Sequence, residues 1–272
     1  MVTDSQYQNI KYEFSGVEHL YGENVHIFSN PYTQSLLAKL CRPETVQPEL
    51  NQLVAKLYHE LLIETVNLFF PRKIEKVTTR MKEFVPQGEL EVEIVDRNVR
   101  AVTVNLARAG TWPSHMCFDE LSALLTPANV RQDHFFMNRK TNEAGEVIGV
   151  DVSGSKIGGD IDKAIVLFPD PMGATGGSLS HAIDHYKKNV EGKELVFVGM
   201  HLIITPEFIE TLTREHPEVK IMALRLDRGM SDSDVLASIP GTHKERESGL
   251  TEIQYIVPGA GGVGEILNNS FV

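Results

Sequence analysis

The sequence predicts an α/β fold with a mainly parallel sheet flanked by helices. Short apolar runs, typical of buried strands, alternate with segments whose apolar residues recur at helical spacing. The strand-like runs are residues 101–106, 164–168, 195–199 and 219–224. Strands that alternate with helices form βαβ units, and the strands of such units are parallel.

The first half of the chain contains an arm, a helix and a pair of strands. Residues 1–24 are mixed and polar and are expected to form an N-terminal arm or an added strand, while residues 25–272 form one domain. Apolar residues recur at helical spacing over residues 48–70, which predicts a long amphipathic helix. Apolar and polar residues alternate over residues 72–100, which predicts strands, with a turn at residues 85–88.

Two helices are predicted between the later strands. The first has a stripe of apolar residues at positions i, i+3, i+4 and i+7, namely Leu179, Ala182, Ile183 and Tyr186. The second has Phe208, Ile209 and Leu212 on one face. Thr205 is expected to cap the second helix, with Pro206 at its first helical position.

Two segments interrupt the alternation of strands and helices. Residues 135–155 are expected to form a β-hairpin around a polar tip at residues 141–145, a shape that can cover a site as a lid. Residues 227–250 are polar and rich in turn residues, and we expect a mobile excursion there.

Composition limits the classes of partner. The net charge of −11 argues against a nucleic-acid partner, because a polyanion meets a repulsive field. The two cysteines, Cys41 and Cys117, form no CxxC pattern, which argues against a disulfide framework and fits a reducing cytoplasm. No apolar run approaches the roughly 20 residues of a membrane span, so we expect a cytoplasmic protein with no membrane partner.

The loop PDPMGATGGS, at residues 169–178, separates a predicted buried strand from a predicted helix. Backbone N–H groups at the start of a helix lack intrahelical partners and bind phosphate. Gly176 and Gly177 let the backbone approach an anion closely, while Thr175 and Ser178 add hydroxyl donors. The pattern favours a phosphate-binding loop over a plain connecting turn.

Asp170 cannot contact the same phosphate, because two negative charges repel each other. A carboxylate suits a sugar diol or a metal, so an acid beside a phosphate loop indicates a sugar phosphate. A nucleotide-triphosphate loop would require a lysine after Gly177, which is absent. A GxGxxG pattern occurs at residues 259–264, but the eight residues after it are too few for a dinucleotide-binding unit.

Three motifs carry a resemblance to a known family. They are the DPM-ATGGS loop, the YIVPG segment at residues 255–259, and Arg108 followed by Ala109 and Gly110. With these motifs the chain resembles the uracil phosphoribosyltransferases, which have the type I phosphoribosyltransferase fold. The resemblance runs, with gaps, over residues 25–265. It implies transfer of the phosphoribosyl group of 5-phosphoribosyl 1-diphosphate (PRPP) to uracil, giving UMP and diphosphate in pyrimidine salvage.

The resemblance also implies roles for individual residues. Arg108 and Asp170 are the catalytic candidates, with Arg108 on the diphosphate and Asp170 on the ribose hydroxyls. The expected PRPP-binding residues are Arg108, Arg139, Asp170, Pro171, Met172, Gly173, Ala174, Thr175, Gly176, Gly177 and Ser178. The expected uracil-binding residues are Tyr255, Ile256, Gly261, Gly262 and Val263. Magnesium is expected to accompany the diphosphate, with no metal site built by the protein alone. The family forms dimers, so a homodimer or higher homo-oligomer is expected, with the helix at 48–70 offering an apolar surface.

The chain departs from the family pattern near the base segment. Gly262 stands where the family has an aspartate, and Glu265 where it has a second one. In the phosphate loop, Gly173 replaces a leucine. The alternatives to uracil transfer are therefore a phosphoribosyltransferase for another base, and an inactive regulatory protein that senses PRPP or a nucleotide.

Overall fold

A computed structural model gives the structure of residues 11–141 and 147–270, with backbone alone at 138–141 and 147–152. The helices are α1 (Pro31–Leu40), α2 (Glu49–Phe69), α3 (Thr111–Leu124), α4 (Gly177–Asn189), α5 (Pro206–Glu215), α6 (Ser233–Leu236) and α7 (Val263–Asn268). The strands are β1 (Val25–Ile27), β2 (Arg72–Thr78), β3 (Glu89–Val95), β4 (Arg100–Ala107), β5 (Val130–Thr141), β6 (Val147–Lys156), β7 (Ala164–Pro169), β8 (Met172–Gly173), β9 (Val196–Ile204) and β10 (Lys220–Leu226).

One sheet holds eight of the strands in the described part of the chain. Its order is β1-β10-β9-β7-β4-β5-β6, with β8 also beside β9. Only the β5–β6 pair of this sheet is antiparallel in the described residues, and it forms the predicted hairpin. The predicted α/β class is therefore confirmed, as are the four predicted strands. Strand β9 runs five residues beyond the predicted end at 199, because its apolar sequence continues to Ile204.

The sheet is covered on both faces, which explains why its strands are continuously apolar. Along β7, Ile165 and Leu167 point into the cluster that includes Leu57 of α2. Val166 and Phe168 point into the opposite cluster, where α4 and α5 pack. Successive strand residues face opposite sides, so one short run supplies both halves of the core.

The predicted helices at residues 48–70, 179–186 and 205–212 are α2, α4 and α5. The Thr205 hydroxyl accepts a hydrogen bond from the Phe208 N–H at 3.0 Å, as predicted for the cap of α5. Within the predicted strand region 72–100, residues 72–95 form the separate two-stranded sheet of β2 and β3, and Arg100 begins β4. The N–H of Gly88 donates to the carbonyl of Val85 in the predicted turn.

The arm and the polar excursion are held against the domain. In the arm, Gly16 forms an antiparallel bridge with Phe28, just after β1. In the excursion, Arg228 forms an ion pair with the fully buried carboxylate of Glu247 at 3.1 Å. The hydroxyl of Tyr21 also donates to Glu247, which joins the arm to the excursion. The expected mobile segment therefore has a buried polar anchor of its own.

Candidate active site

The candidate site lies at the edge of the sheet where the parallel strands end. Strands β4 and β7 are parallel neighbours, paired from Arg100 with Ala164 onward. Arg108 directly follows β4, and Asp170 directly follows β7. Because the carboxyl ends of parallel strands share one edge, both residues reach the same crevice, where ligands of such sheets bind.

The phosphate loop is shaped by contacts that only small residues allow. Gly176 has φ +82°, in the left-handed region, and directly precedes α4. A Cβ at this position would lie 3.2 Å from the Cβ of Thr211 and would overlap Leu212. The hydroxyl of Thr205 donates to the Ala174 carbonyl at 2.6 Å, which fixes the loop to the start of α5. The loop therefore presents the N-terminus of α4 to the crevice.

A cleft of about 760 Å³ runs from this loop to the C-terminal segment. Its lining includes residues of four segments, namely Arg108 with its neighbours, Asp170, the loop from Met172 to Gly176 with Ser178, and residues 254–256 and 261–265. Segments far apart in the sequence thus face one another across a cavity large enough for a small-molecule ligand.

Two carboxylates, of the half-buried Glu207 and the buried Asp227, hold the segment around Tyr255 in place. Glu207, in the first turn of α5, accepts hydrogen bonds from the N–H groups of Gly249 and Leu250. Leu250 in turn forms a β-bridge with Ile256. Asp227 accepts the N–H of Gly259 at 2.7 Å and is held by a two-point ion pair with Arg225. The wall of the cleft is therefore anchored at both of its ends.

His201 lies in β9 behind Asp170. Its Nδ1 is 2.6 Å from the carbonyl oxygen of Asp170, and because a carbonyl only accepts, Nδ1 carries the proton. Burial lowers the pKa of His201 to about 4, so the ring is neutral near pH 7. Its ring packs edge-on against Phe208, which lines the cleft. His201 therefore supports the backbone of Asp170 without adding charge.

Arg108 is engaged by the end of the chain. Its Nη1 donates to the hydroxyl oxygen of Ser270 at 2.8 Å and to the Ser270 carbonyl at 3.2 Å. Both acceptors are neutral, and guanidinium groups bond more strongly to anionic oxygens than to neutral ones. An anion entering the cleft can therefore exchange with Ser270.

The comparisons with known proteins agree with this geometry. Residues 27–244 match the family model described as uracil phosphoribosyltransferase. A uracil phosphoribosyltransferase of Dictyoglomus thermophilum is 30% identical over 245 residues, which are 89% of this chain and 98% of that protein. The chain belongs to the uracil phosphoribosyltransferase family. It is accordingly a phosphoribosyltransferase with the type I fold.

Two further relatives extend the comparison. The uracil phosphoribosyltransferase of Dictyoglomus turgidum is 27% identical over 244 residues, 89% of this chain and 98% of that protein. The AQ2163 protein of Aquifex aeolicus has a solved structure that superimposes with a TM-score of 0.66 at 20% identity, covering 90% of this chain and 97% of that one. At that identity the Aquifex structure supports the fold alone.

Most residues that the sequence proposed for this phosphoribosyltransferase line one cleft. Those on its surface are Arg108, Asp170, Met172, Gly173, Ala174, Thr175, Gly176, Ser178, Tyr255, Ile256, Gly261, Gly262 and Val263. Pro171 and Gly177 are not among the lining residues, and the carbonyl of Pro171 instead accepts the N–H groups of Leu202 and Ile203. Arg139 lies in β5, but its side chain falls outside the described residues, as do residues 142–145 of the predicted hairpin tip.

Several lining residues of the phosphoribosyltransferase were not predicted as site residues. They include Met137, Phe208, Gln254 and Glu265. The apolar stripe of α5 identifies Phe208 only as a core residue, and its contribution to the cleft depends on how α5 packs. Glu265 differs from the others because it is charged, and it joins Arg108 and Asp170 among the described charged side chains on the cleft surface.

The described residues hold no group of three or more His, Cys, Asp or Glu side chains placed to bind a metal ion. Among the described helices, none is long and apolar enough to cross a membrane.

Proposed function

We propose that this phosphoribosyltransferase transfers the 5-phosphoribosyl group of PRPP to uracil and forms UMP and diphosphate. The observation that carries the proposal is a single cleft, lined at one end by the phosphate loop and at the other by residues 254–256 and 261–265. A phosphorylated sugar joined to a planar base spans such a cleft lengthwise.

The 5-phosphate of PRPP is assigned to the loop before α4. The first N–H groups of a helix have no intrahelical partner and carry partial positive charge, which favours a dianion. The hydroxyl groups of Thr175 and Ser178, both on the cleft surface, supply further donors. Gly176 is required for the left-handed turn that aims these groups.

The ribose and the diphosphate are assigned to the two strand ends. The Asp170 carboxylate can accept hydrogen bonds from two adjacent ribose hydroxyls, and the carbonyl of Asp170 is fixed by His201. The Arg108 guanidinium leaves Ser270 and binds diphosphate oxygens, because charge-assisted bonds are roughly twice as strong as neutral ones.

Magnesium is proposed as a companion of the diphosphate. The described part of the cleft suits a metal held mainly by substrate oxygens, since no cluster of three protein ligands exists there. Asp170, which follows strand β7, is the described carboxylate on the phosphate side of the cleft that can complete its shell. A magnesium ion bound there would neutralise charge on the leaving diphosphate.

Uracil is assigned to the C-terminal wall, where Ile256 and Gly261 offer backbone groups to its edge. In the reaction the bond from ribose C1 to the diphosphate oxygen breaks, and a bond from C1 to uracil N1 forms. The electron pair of the broken bond leaves with diphosphate, and the N1 proton passes from the base to solvent water. Positive charge develops on the ribose in the transition state, so positioning and stabilisation of the leaving group supply most of the rate.

The test measures diphosphate release with PRPP and Mg²⁺ against a panel of uracil, other pyrimidines and purines. The proposal predicts release with uracil and a loss of about 100-fold or more in kcat/KM for Asp170→Asn. Asp119→Asn, at an exposed position of α3, is the matched control and keeps full activity. Absence of release with every base, together with binding of PRPP, would leave a sensor rather than an enzyme.

A second candidate is a phosphoribosyltransferase for another base. Gly262 favours it, because the family's carboxylate is missing from this position on the cleft surface. The family match also ends at residue 244, before the wall assigned to the base. Diphosphate release with one other base and not with uracil would establish this candidate.

We also propose a homodimer or higher homo-oligomer, with a surface different from the one expected. Helix α2 buries its apolar face within its own domain, so it offers little surface to a partner. The β2–β3 hairpin instead exposes Ile74, Met81 and Phe84, the last at 75%. Light scattering of Phe84→Ser against wild type tests this surface, and an unchanged mass would exclude it.

A further inference from the structure

The carboxylate of Glu265 occupies the space that a side chain at position 262 would need. A Cβ built on Gly262 would lie 2.9 Å from the carboxyl carbon of Glu265 and would overlap its Oε2. Gly262 has φ −77°, which any residue can adopt, so its backbone does not require glycine. The space over Gly262 is therefore filled by a charged group supplied from three residues further along.

The packing of α7 directs Glu265 towards the cleft. Val263 and Leu267 of this helix are buried in the core, at 2% and 7% exposure. Gln47 donates to the carbonyls of Ile266 and Leu267, which fixes the other end of the helix. At about 100° per residue, position 265 lies roughly opposite to 263 and 267. Glu265 accordingly reaches the cleft surface beside Gly261 and Gly262.

We infer that Glu265 is a specificity-determining residue whose carboxylate takes the place of a side chain at position 262 and accepts an N–H of the base. This inference rests on the proposed function. Among the described charged side chains of the cleft, Arg108 and Asp170 follow the strands that lead to the phosphate side. Glu265 is the described charged group on the base side. A carboxylate is acceptor-only, so it attracts a ring N–H and repels a ring nitrogen that carries a lone pair.

A competing explanation is structural. Glu265 is the third residue of α7, and a glutamate at this position can fold back to the helix N-cap and stabilise the helix. In that case its replacement lowers the melting temperature but leaves the affinity for the base unchanged. The two explanations thus differ in the quantity that each variant changes.

Four variants separate them. Glu265→Ala removes the carboxylate, and Glu265→Gln removes its charge alone. Gly262→Ala keeps the carboxylate but pushes it aside, and the end of a flexible side chain moves at little cost. The double variant Gly262→Asp with Glu265→Ala returns a carboxylate to the same space from position 262. Glu252→Gln, at an exposed residue of the same segment, is the matched control.

The readouts are KM for uracil, kcat, the Kd of PRPP in the absence of base, and the melting temperature. We expect Glu265→Ala and Gly262→Ala to raise KM for uracil about tenfold or more, the size of one charge-assisted hydrogen bond. We expect Glu265→Gln to raise KM for uracil less than Glu265→Ala does, and the double variant to bring KM most of the way back to the wild-type value. The Kd of PRPP should stay within about twofold of wild type in all four variants. Glu252→Gln leaves all four quantities unchanged.

An unchanged KM for uracil in Glu265→Ala would overturn the inference, whether or not the melting temperature falls. An equal loss in PRPP affinity would also overturn it, because the carboxylate would then serve the ribose side.

The proposed function is tested separately by turnover of the wild type. If the wild type uses another base, KM of each variant is compared with KM of the wild type for that base. If it turns over none, the Kd of UMP replaces KM, and an unchanged Kd in Glu265→Ala overturns the inference.

Discussion

The hydroxyl of Thr205 donates a 2.6 Å hydrogen bond to the carbonyl of Ala174 and accepts the N–H of Phe208 at 3.0 Å. One side chain therefore both caps α5 and holds the phosphate loop. Two residues further along, Glu207 binds the backbone of Gly249 and Leu250. The first turn of α5 thus contacts both ends of the cleft, and it couples their positions.

Replacing Thr205 tests the first of these contacts. Thr205→Val keeps the shape but removes the cap and leaves the Ala174 carbonyl without its donor, which should lower the free energy of unfolding by about 2 kcal/mol. The Kd of PRPP should rise as the loop loosens. Thr205→Ser retains both bonds and should stay close to wild type, so equal losses in the two variants would contradict this role. Urea unfolding and calorimetry provide the measurements.

Replacing Glu207 tests the second contact. Glu207→Gln puts an amide donor against backbone N–H groups, so the segment around Tyr255 should lose its fixed position. We expect KM for uracil to rise about tenfold, with PRPP affinity within about twofold. Glu210→Gln, on the same helix with a side chain 77% exposed, is the control. A change in PRPP affinity equal to that in KM would argue that Glu207 acts on the whole cleft.

The position of the Phe208 side chain explains why residue 173 is a glycine. A Cβ at Gly173 would lie 2.9 Å from atoms of both Ile204 and Phe208, so the space that a larger side chain would need is occupied by neighbours here. Gly173→Leu should lower the free energy of unfolding by about 1–3 kcal/mol through overpacking. Adding Phe208→Ala should recover part of this loss, which a double-mutant cycle measures. Purely additive effects would show that Phe208 is not the obstacle.

The neutral ring of His201 predicts how stability depends on pH. Burial lowers its pKa from the ordinary 6.5 to about 4, so between these values the unfolded chain binds a proton that the folded chain does not. Stability is therefore complete above pH 6.5 and falls as the pH drops towards 4, by at most about 3 kcal/mol for this residue. His201→Asn keeps a donor for the Asp170 carbonyl but does not titrate there. The free energy of unfolding of His201→Asn, measured by urea unfolding, should therefore fall less than that of wild type between pH 6.5 and about pH 4. If the two proteins lose the same free energy over this range, His201 is not the cause of the pH dependence.

The strands, the main helices and the position of the glycine loop between β7 and α4 could be predicted because their signals are local. Apolar runs such as residues 164–168 and the stripe of α4 reflect burial directly, and a run of glycines marks the turn that joins a strand to a helix. The anchors of the base wall could not be predicted in this way. Glu207 and Gly249 are 42 residues apart, and nothing in the sequence near either one identifies the other.

Two other features also depend on the tertiary structure. Glu265 aligns with a family acid, but its position over Gly262 follows only from the way α7 packs on Gln47 and the core. The buried pair of Arg228 and Glu247 lies in a segment whose composition indicated an exposed excursion. Long-range polar contacts of this kind leave no periodic pattern. The lid role of Arg139 stays a prediction, since its side chain lies outside the described residues.

The most direct measurement is the formation of UMP from uracil, PRPP and Mg²⁺ by the wild-type protein, quantified by chromatography beside diphosphate. We expect one UMP for each diphosphate released, and loss of both products in Asp170→Asn. Diphosphate release without UMP would mean that the base wall does not bind uracil productively. Formation of a nucleotide only from another base would contradict uracil as the substrate but would still agree with phosphoribosyltransferase activity.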